Sequence, residues 1–243
     1  MFIVQDYAKY TDEDHYVWAT LCERRMPALQ QTACKAFLDG LGLIGLDSKR
    51  VPKLDDINAR LKPLTRWQAR AVPGYLPARD FFSALSERQF PTTITVRPLK
   101  QLEYLPEPDI FHDVFGHVPL HSNPVFADFL QHYGRVALEA DGEQEMTELA
   151  RLFWFTVEFG LIRENNEVKL FGSGLMSSVG EGPHALSNDV EKREFNLESV
   201  IHQSFEIDHY QPILYVIDSF EQLYHAIEEW SQQKQSRRAP TVS

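Results

Sequence analysis

The sequence predicts a predominantly α fold with a minor β component, an α+β chain, and three observations carry that reading. Pairs of capping residues precede stretches with apolar side chains at helical spacing. Runs of β-branched residues are few and short. One segment, "RLFWFTVEFGLI", is apolar almost all round, as a buried helix would be. Taken in order, Thr11 with Asp14 forms a capping box for a helix to about Met26, and Pro27 opens a second with Leu29, Ala33, Phe37 and Leu41 on one side, ended by Gly40, Gly42 and Gly45. Asp55 starts a short helix through Leu61. "LPARDFFSALSERQF" is another, turning Phe81 or Phe82 and Leu85 inward, and "TTITV" (92–96) has the composition of a strand. Asn123 and Pro124 are a cap and first-turn pair, so "PVFADFLQHYGRVALEA" is helical with Val125, Phe129 and Tyr133 inward. A longer helix spans about Glu143 to Leu161. "EVKLF" and "ILYVI" are short strands, and Ser219 with Gln222 caps a last helix carrying Leu223, Ile227 and Trp230. With no repeat or flexible linker, residues 1–243 form one domain, with a core over about 10–230 and a loose polar tail over 231–243.

At 43% hydrophobic residues the 243-residue chain supports a substantial core. A net charge of −11, with no long Lys/Arg run, argues against a nucleic-acid partner. The N-terminus turns polar after three apolar residues and no later stretch is long enough to span a bilayer, so a cytoplasmic protein without a membrane partner is expected. Cys22 and Cys34 read as reduced core thiols.

The chemistry starts at "PDIFHDVFGHVP" (108–119), where His112 and His117 stand five apart. An ion held there by imidazole and carboxylate would be zinc, iron, manganese or copper. In an α-helix residues five apart diverge by roughly 140°, because each turns about 100°. Gly116 and Pro119 therefore predict that the segment leaves helical geometry near His117, letting the rings converge. Glu158, inside the apolar "RLFWFTVEFGLI", is the best third ligand: burying an ionised carboxylate unpaired costs several kcal/mol, so it is neutral, paired or metal-bound. Two histidines and a carboxylate make the facial triad of non-haem Fe(II) oxygenases. The competing reading is a hydrogen-bonded histidine pair, with Glu158 paired to Arg151 or Arg163.

Five motifs in order, "AVPGYLPARDFF" (71–82), "VRPLKQLEYLPEPDIFHDVFGHVPL" (96–120), "LFWFTVEFGL" (152–161), "FGSGLMSSVGE" (171–181) and "QPILYVIDSF" (211–220), resemble the catalytic domain of the pterin-dependent aromatic amino acid hydroxylases, closest to the bacterial phenylalanine 4-hydroxylases. The resemblance covers roughly Tyr10 to Trp230. It implies that family's catalytic-domain fold, Fe(II) on His112, His117 and Glu158, and a reaction in which L-phenylalanine, O2 and a reduced tetrahydropterin (tetrahydrobiopterin or a related pterin) give L-tyrosine and a hydroxylated pterin. On the substrate side it implies Arg97 as the carboxylate-binding fork, oriented by Asp109 unless that residue is a helix cap, with Trp154 and Val216 favouring phenylalanine. Ser177 lies beside the substrate and supports a metal-bound histidine, with Ser178 next to it. On the pterin side it implies stacking on Phe81, backbone contacts around Leu76 and Ala78, and an acid at Asp113. Leu105 and Phe153 depart from the threonine and tyrosine usual in the family. A monomer is expected, without a regulatory or tetramerisation domain. Rival readings are hydroxylation of tryptophan or of another ring position, a zinc hydrolase, and a binding protein without turnover.

Overall fold

The structure, a computed structural model, describes residues 1–102, 107–207 and 209–238; Leu105 lies outside the described residues. α1 (Asp12–Thr32) begins with the capping box: Thr11 Oγ1 accepts from Asp14 N at 3.2 Å and Asp14 Oδ2 accepts from Thr11 N at 2.7 Å. It does not stop at Met26. Pro27 sits inside it, forfeiting one backbone bond, while burial of Trp18, Leu21, Cys22, Arg25 and Leu29 carries the helix through. The break comes at Ala33, because Cys34 N donates to Leu170 O at 2.8 Å, a partner 136 residues on that local spacing cannot reveal. α2 (Lys35–Leu43) keeps Gly40 and Gly42 within it. Gly40 serves close approach rather than termination, since a Cβ there would lie 2.2 Å from Pro119 O.

α3 (Leu54–Thr65) outruns the expected end at Leu61 and closes on Arg66 in the left-handed region at φ 68°. β1 (Gln68–Val72), which local pattern did not reveal, pairs parallel with β2 (Gln89–Thr93), and α4 (Ala78–Ser86) connects them. That pairing moves the strand upstream of 92–96. Beyond Thr93, the Ile94 carbonyl accepts from Tyr10 Oη at 2.6 Å instead of a strand neighbour. In α4, Phe82 and Leu85 are buried and Phe81 is half-buried. α5 (Pro124–Leu138) is capped by Asn123 Oδ1, which accepts from Val125 N and Phe126 N. Its inward face holds Phe126, Phe129 and Tyr133, with Val125 half-buried at the edge. Gly134 lets α5 meet α4 closely: a Cβ would stand 2.6 Å from Ser86 N.

α6 (Gly142–Phe153) passes into a π-helical turn (Trp154–Glu158) and then β3 (Leu161–Glu164), so the helix expected to reach Leu161 ends earlier. β4 (Glu167–Leu170) and β6 (Ile213–Ile217) lie where expected, and Asn165 and Asn166, at φ 51° and 65°, make the tight turn between β3 and β4. With β5 (Glu191–Glu194) they form a sheet in the order β4-β3-β6-β5. Around it lie α7 (Ser173–Ser177), α8 (Glu181–Leu186) and α9 (Leu197–His202). α10 (Phe220–Arg238) begins directly after Ser219, as expected, although Gln222 Oε1 accepts from Asp218 N rather than from Ser219 N. It also runs on through residues expected to be loose: Lys234 is buried and donates to Glu139 O, docking that turn.

One contiguous cluster of buried apolar side chains runs from Val17 to Trp230. No helix is long and apolar enough to cross a membrane. Cys22 and Cys34 are buried and unpaired, and burial pushes both thiols up to about 12, which makes them poor nucleophiles. His121 is enclosed by Trp67 and Phe90 at 4.7 and 4.8 Å, and neither ring nitrogen has a protein partner. Burial, then the neighbouring His117, holds its pKa well below the usual value. Replacing it by an apolar ring removes that uncompensated polarity, so His121→Phe is predicted to stabilise the fold by about 1–3 kcal/mol in urea unfolding; a loss of stability would contradict this.

Candidate metal centre

His112 and His117 sit at the second and last positions of a π-helical segment (Phe111–His117). Hydrogen bonding from i to i+5 stacks residues five apart one turn above the other, so the spacing that diverges in an α-helix converges here. The departure from α geometry thus begins at Phe111 rather than near His117. Glu158 closes the second π-helical turn, where Phe159 N donates five residues back to Trp154 O at 2.8 Å. Its Oε2 is 3.5 Å from His112 Nε2 and its Oε1 3.3 Å from His117 Nε2, with the two rings perpendicular at 86°. Two donor atoms each about 2.1 Å from one ion stand roughly 3.0–3.4 Å apart. The three side chains fit a single cation.

The surrounding bonds fix these side chains. Ser177 Oγ donates to Ser173 O and lies 2.9 Å from His112 Nδ1, so it accepts the Nδ1 hydrogen and turns Nε2 toward Glu158. Ser173 Oγ donates to Glu158 Oε2 at 2.7 Å. Burial opposes ionisation of Glu158, but His117, by charge and hydrogen bond, then His112 and Ser173, outweigh it and hold the carboxyl at about 2. The competing arginines are engaged elsewhere: Arg151 donates to Ile201 O, and Arg163 pairs with Glu194 and Asp218. Asp113 is a second acid near the histidines, with ligand atoms of all three within 4.8 Å of one another. Its Oδ2, however, accepts from Thr93 N at 2.7 Å, and burial raises its pKa despite His112 and His117. Glu158, bridging both Nε2 atoms, is the better third ligand.

A sequence profile of the biopterin-dependent aromatic amino acid hydroxylase family matches residues 5–239. The chain belongs to this family. The phenylalanine-4-hydroxylase of Chromobacterium violaceum is 43% identical over 223 residues, covering 91% of this chain and 75% of that protein. The Ralstonia nicotianae enzyme of the same name is 44% identical, covering 91% and 71%. The crystal structure of the Chromobacterium violaceum phenylalanine hydroxylase with bound iron(III) and oxidised 7,8-dihydrobiopterin matches with a TM-score of 0.92 at 40% identity, over 98% of this chain and 88% of that one.

In this hydroxylase Asp109 does both things open to it. Its two oxygens grip Arg97 at Nε and Nη2, each at 2.9 Å, and Oδ1 also accepts from His112 N at 3.0 Å, capping the π-helical segment. Trp154 is pinned by Nε1 donating to Gln211 Oε1 at 3.1 Å and by stacking on Phe205 at 4.4 Å. Val216 is buried on β6 beside Leu161 of β3. Phe81 meets Phe90 and Phe153 edge-on at 6.2 and 5.7 Å, one turn into the helix that Ala78 begins and Leu76 precedes. Ser178 Oγ accepts from Glu181 N, the first residue of α8, at 3.2 Å.

Sequence reasoning missed Ser173, Thr93, Gln211 and Phe205. For Ser173 a signal existed in its flanking glycines. A Cβ at Gly172 would lie 2.4 Å from Glu158 O, and one at Gly174 would lie 2.9 Å from Phe159 Cζ, so the pair marks a backbone pressed against the ligand.

Burial opposes ionisation of Asp109, but the hydrogen bond and charge of Arg97 prevail and lower its pKa. A depressed carboxylate contributes stability above its unfolded value and loses it as pH falls through the folded one. Asp109→Asn is predicted to cost about 3–5 kcal/mol at pH 7 by leaving Arg97 buried and unpaired. Measured by urea unfolding, the gap to wild type should narrow below about pH 4; a gap independent of pH would contradict the ion pair's role.

Proposed function

We propose that this chain hydroxylates L-phenylalanine to L-tyrosine with O2 and a reduced tetrahydropterin at a mononuclear non-haem Fe(II) centre held by His112, His117 and Glu158. The observation that carries the reading is the convergence of two Nε2 atoms on one carboxylate that has no arginine partner among the described residues. Ferrous iron supplies O2 activation when bound, with the pterin as electron donor, so that one oxygen atom enters the ring and the other leaves on the pterin.

The side chains position the reactants. Arg97 takes the substrate carboxylate on the guanidinium hydrogens that Asp109 leaves free, and the ion pair keeps that fork from rotating. Trp154, held by Gln211 and Phe205, forms one wall of the slot for the substrate ring. Val216 offers that slot no hydrogen-bond partner for a ring hydroxyl, which favours phenylalanine over tyrosine. Phe81 stacks on the pterin, the backbone at Leu76 and Ala78 meets its edge, and Asp113 supplies an acid on that side. Two buried, unpaired cysteines suit a reducing cytoplasm, and a monomer completes the proposal.

Anaerobic loading with Fe(II), followed by a tetrahydropterin, air and chromatography of the products, is expected to yield tyrosine from phenylalanine. A higher kcat/KM for tryptophan, or a hydroxyl at another ring carbon, would overturn the substrate assignment. Glu158→Ala is predicted to lose iron and tyrosine formation while keeping the far-UV circular dichroism of the wild type; full activity would remove Glu158 from the site. Arg97→Lys is predicted to raise KM for phenylalanine by about tenfold or more, with less effect on kcat; an unchanged KM would refute the contact. Sedimentation as a single chain tests the monomer.

A further inference from the structure

Arg25 of α1 is only 2% exposed, yet it pairs with no carboxylate among the described residues. Its Nε donates to Met176 O at 2.8 Å and its Nη2 to Leu175 O at 2.9 Å. Burial lowers its pKa to about 10, which still leaves it charged at neutral pH. A buried cation balanced only by carbonyl dipoles is a costly way to fill space, and an apolar side chain of that size would serve packing as well or better.

The two carbonyls belong to the end of α7, where backbone acceptors lack intrahelical partners and a cation meets the negative end of the helix dipole. α7 is also the element whose Ser173 donates to Glu158 and whose Ser177 accepts from His112. It has little freedom on either side. A Cβ at Gly116, in the π-helical segment, would lie 3.0 Å from Ser173 O, and one at Gly182, in α8, would lie 3.0 Å from both Arg25 Nη2 and Leu175 O.

We propose that Arg25 is a positioning residue for the metal centre: by holding the last carbonyls of α7 it sets Ser173 and Ser177, and through them the carboxylate of Glu158 and the tautomer of His112. The inference rests on the metal-site reading given above. It extends the site by one layer, to a residue 87 positions before His112 in sequence.

The test uses metal-free protein titrated anaerobically with Co(II), followed by its visible absorption, so that affinity is read without turnover. Arg25→Lys keeps the charge but replaces the two-pronged fork with a single point donor. It is predicted to weaken Co(II) binding about 3–10-fold, less than the roughly 10–100-fold typical when a ligand's direct partner is removed. In a Ser173→Ala/Ser177→Ala background the same substitution should change affinity less than about twofold, because the link it acts through is gone. Gly182→Ala, which crowds the guanidinium without altering it, should repeat the pattern and serves where Arg25→Lys fails to fold. Equal losses in both backgrounds, or none in either, would overturn the proposal and leave Arg25 a structural cation. Wild-type protein that takes up no Co(II) would instead overturn the metal-site reading and this inference with it.

Discussion

Glu158 is ionised within a helix that is otherwise apolar. An unpaired carboxylate there would cost several kcal/mol, so the surrounding structure has to supply compensation. Within the chain it comes from two imidazoles of one π-helical segment and from the hydroxyl of Ser173, and the donor spacing suits a cation. Around this point other features find their reason. The glycines at 172 and 174 let α7 lie against the Glu158 backbone, and the arginines nearest in sequence are occupied by Ile201 O, Glu194 and Asp218.

Both segments that carry the candidate ligands adopt π geometry, which is rarely seen and usually confined to single turns at functional sites. Such turns need support from outside. Asp109 supplies it on one side by capping His112 N, and Gly160 on the other: a Cβ there would stand 2.3 Å from Thr156 O, so the chain can turn sharply after Glu158 only because it lacks one. Asp109 also grips the guanidinium proposed for the substrate carboxylate, so one carboxylate sets the distance between Arg97 and the first candidate metal ligand, His112. A displacement of either would be felt by the other, which suits a reaction that depends on reactants held in register.

The wall proposed for Trp154 is fixed by a similar economy. Its indole bonds to Gln211, whose amide in turn donates to the carbonyls of Glu206 and His209, so the stretch before β6 is tied to the active site through one buried side chain.

Local chemistry determined much of this protein. The capping boxes, the Asn123–Pro124 start, the two β-branched strands and the apolar stretch around Glu158 all act through neighbours in sequence, and the motif order around His112, His117 and Glu158 was enough to suggest both family and ligands. Tertiary structure decided the rest. α1 passes through Pro27 and breaks at Cys34 because Leu170 lies opposite. β1 exists because β2 pairs with it. Ser173, Gln211 and Arg25 matter because of what lies against them. Propensity and periodicity are sums over adjacent residues, whereas these contacts join residues tens to more than a hundred positions apart, and only the folded chain brings such partners within hydrogen-bonding distance.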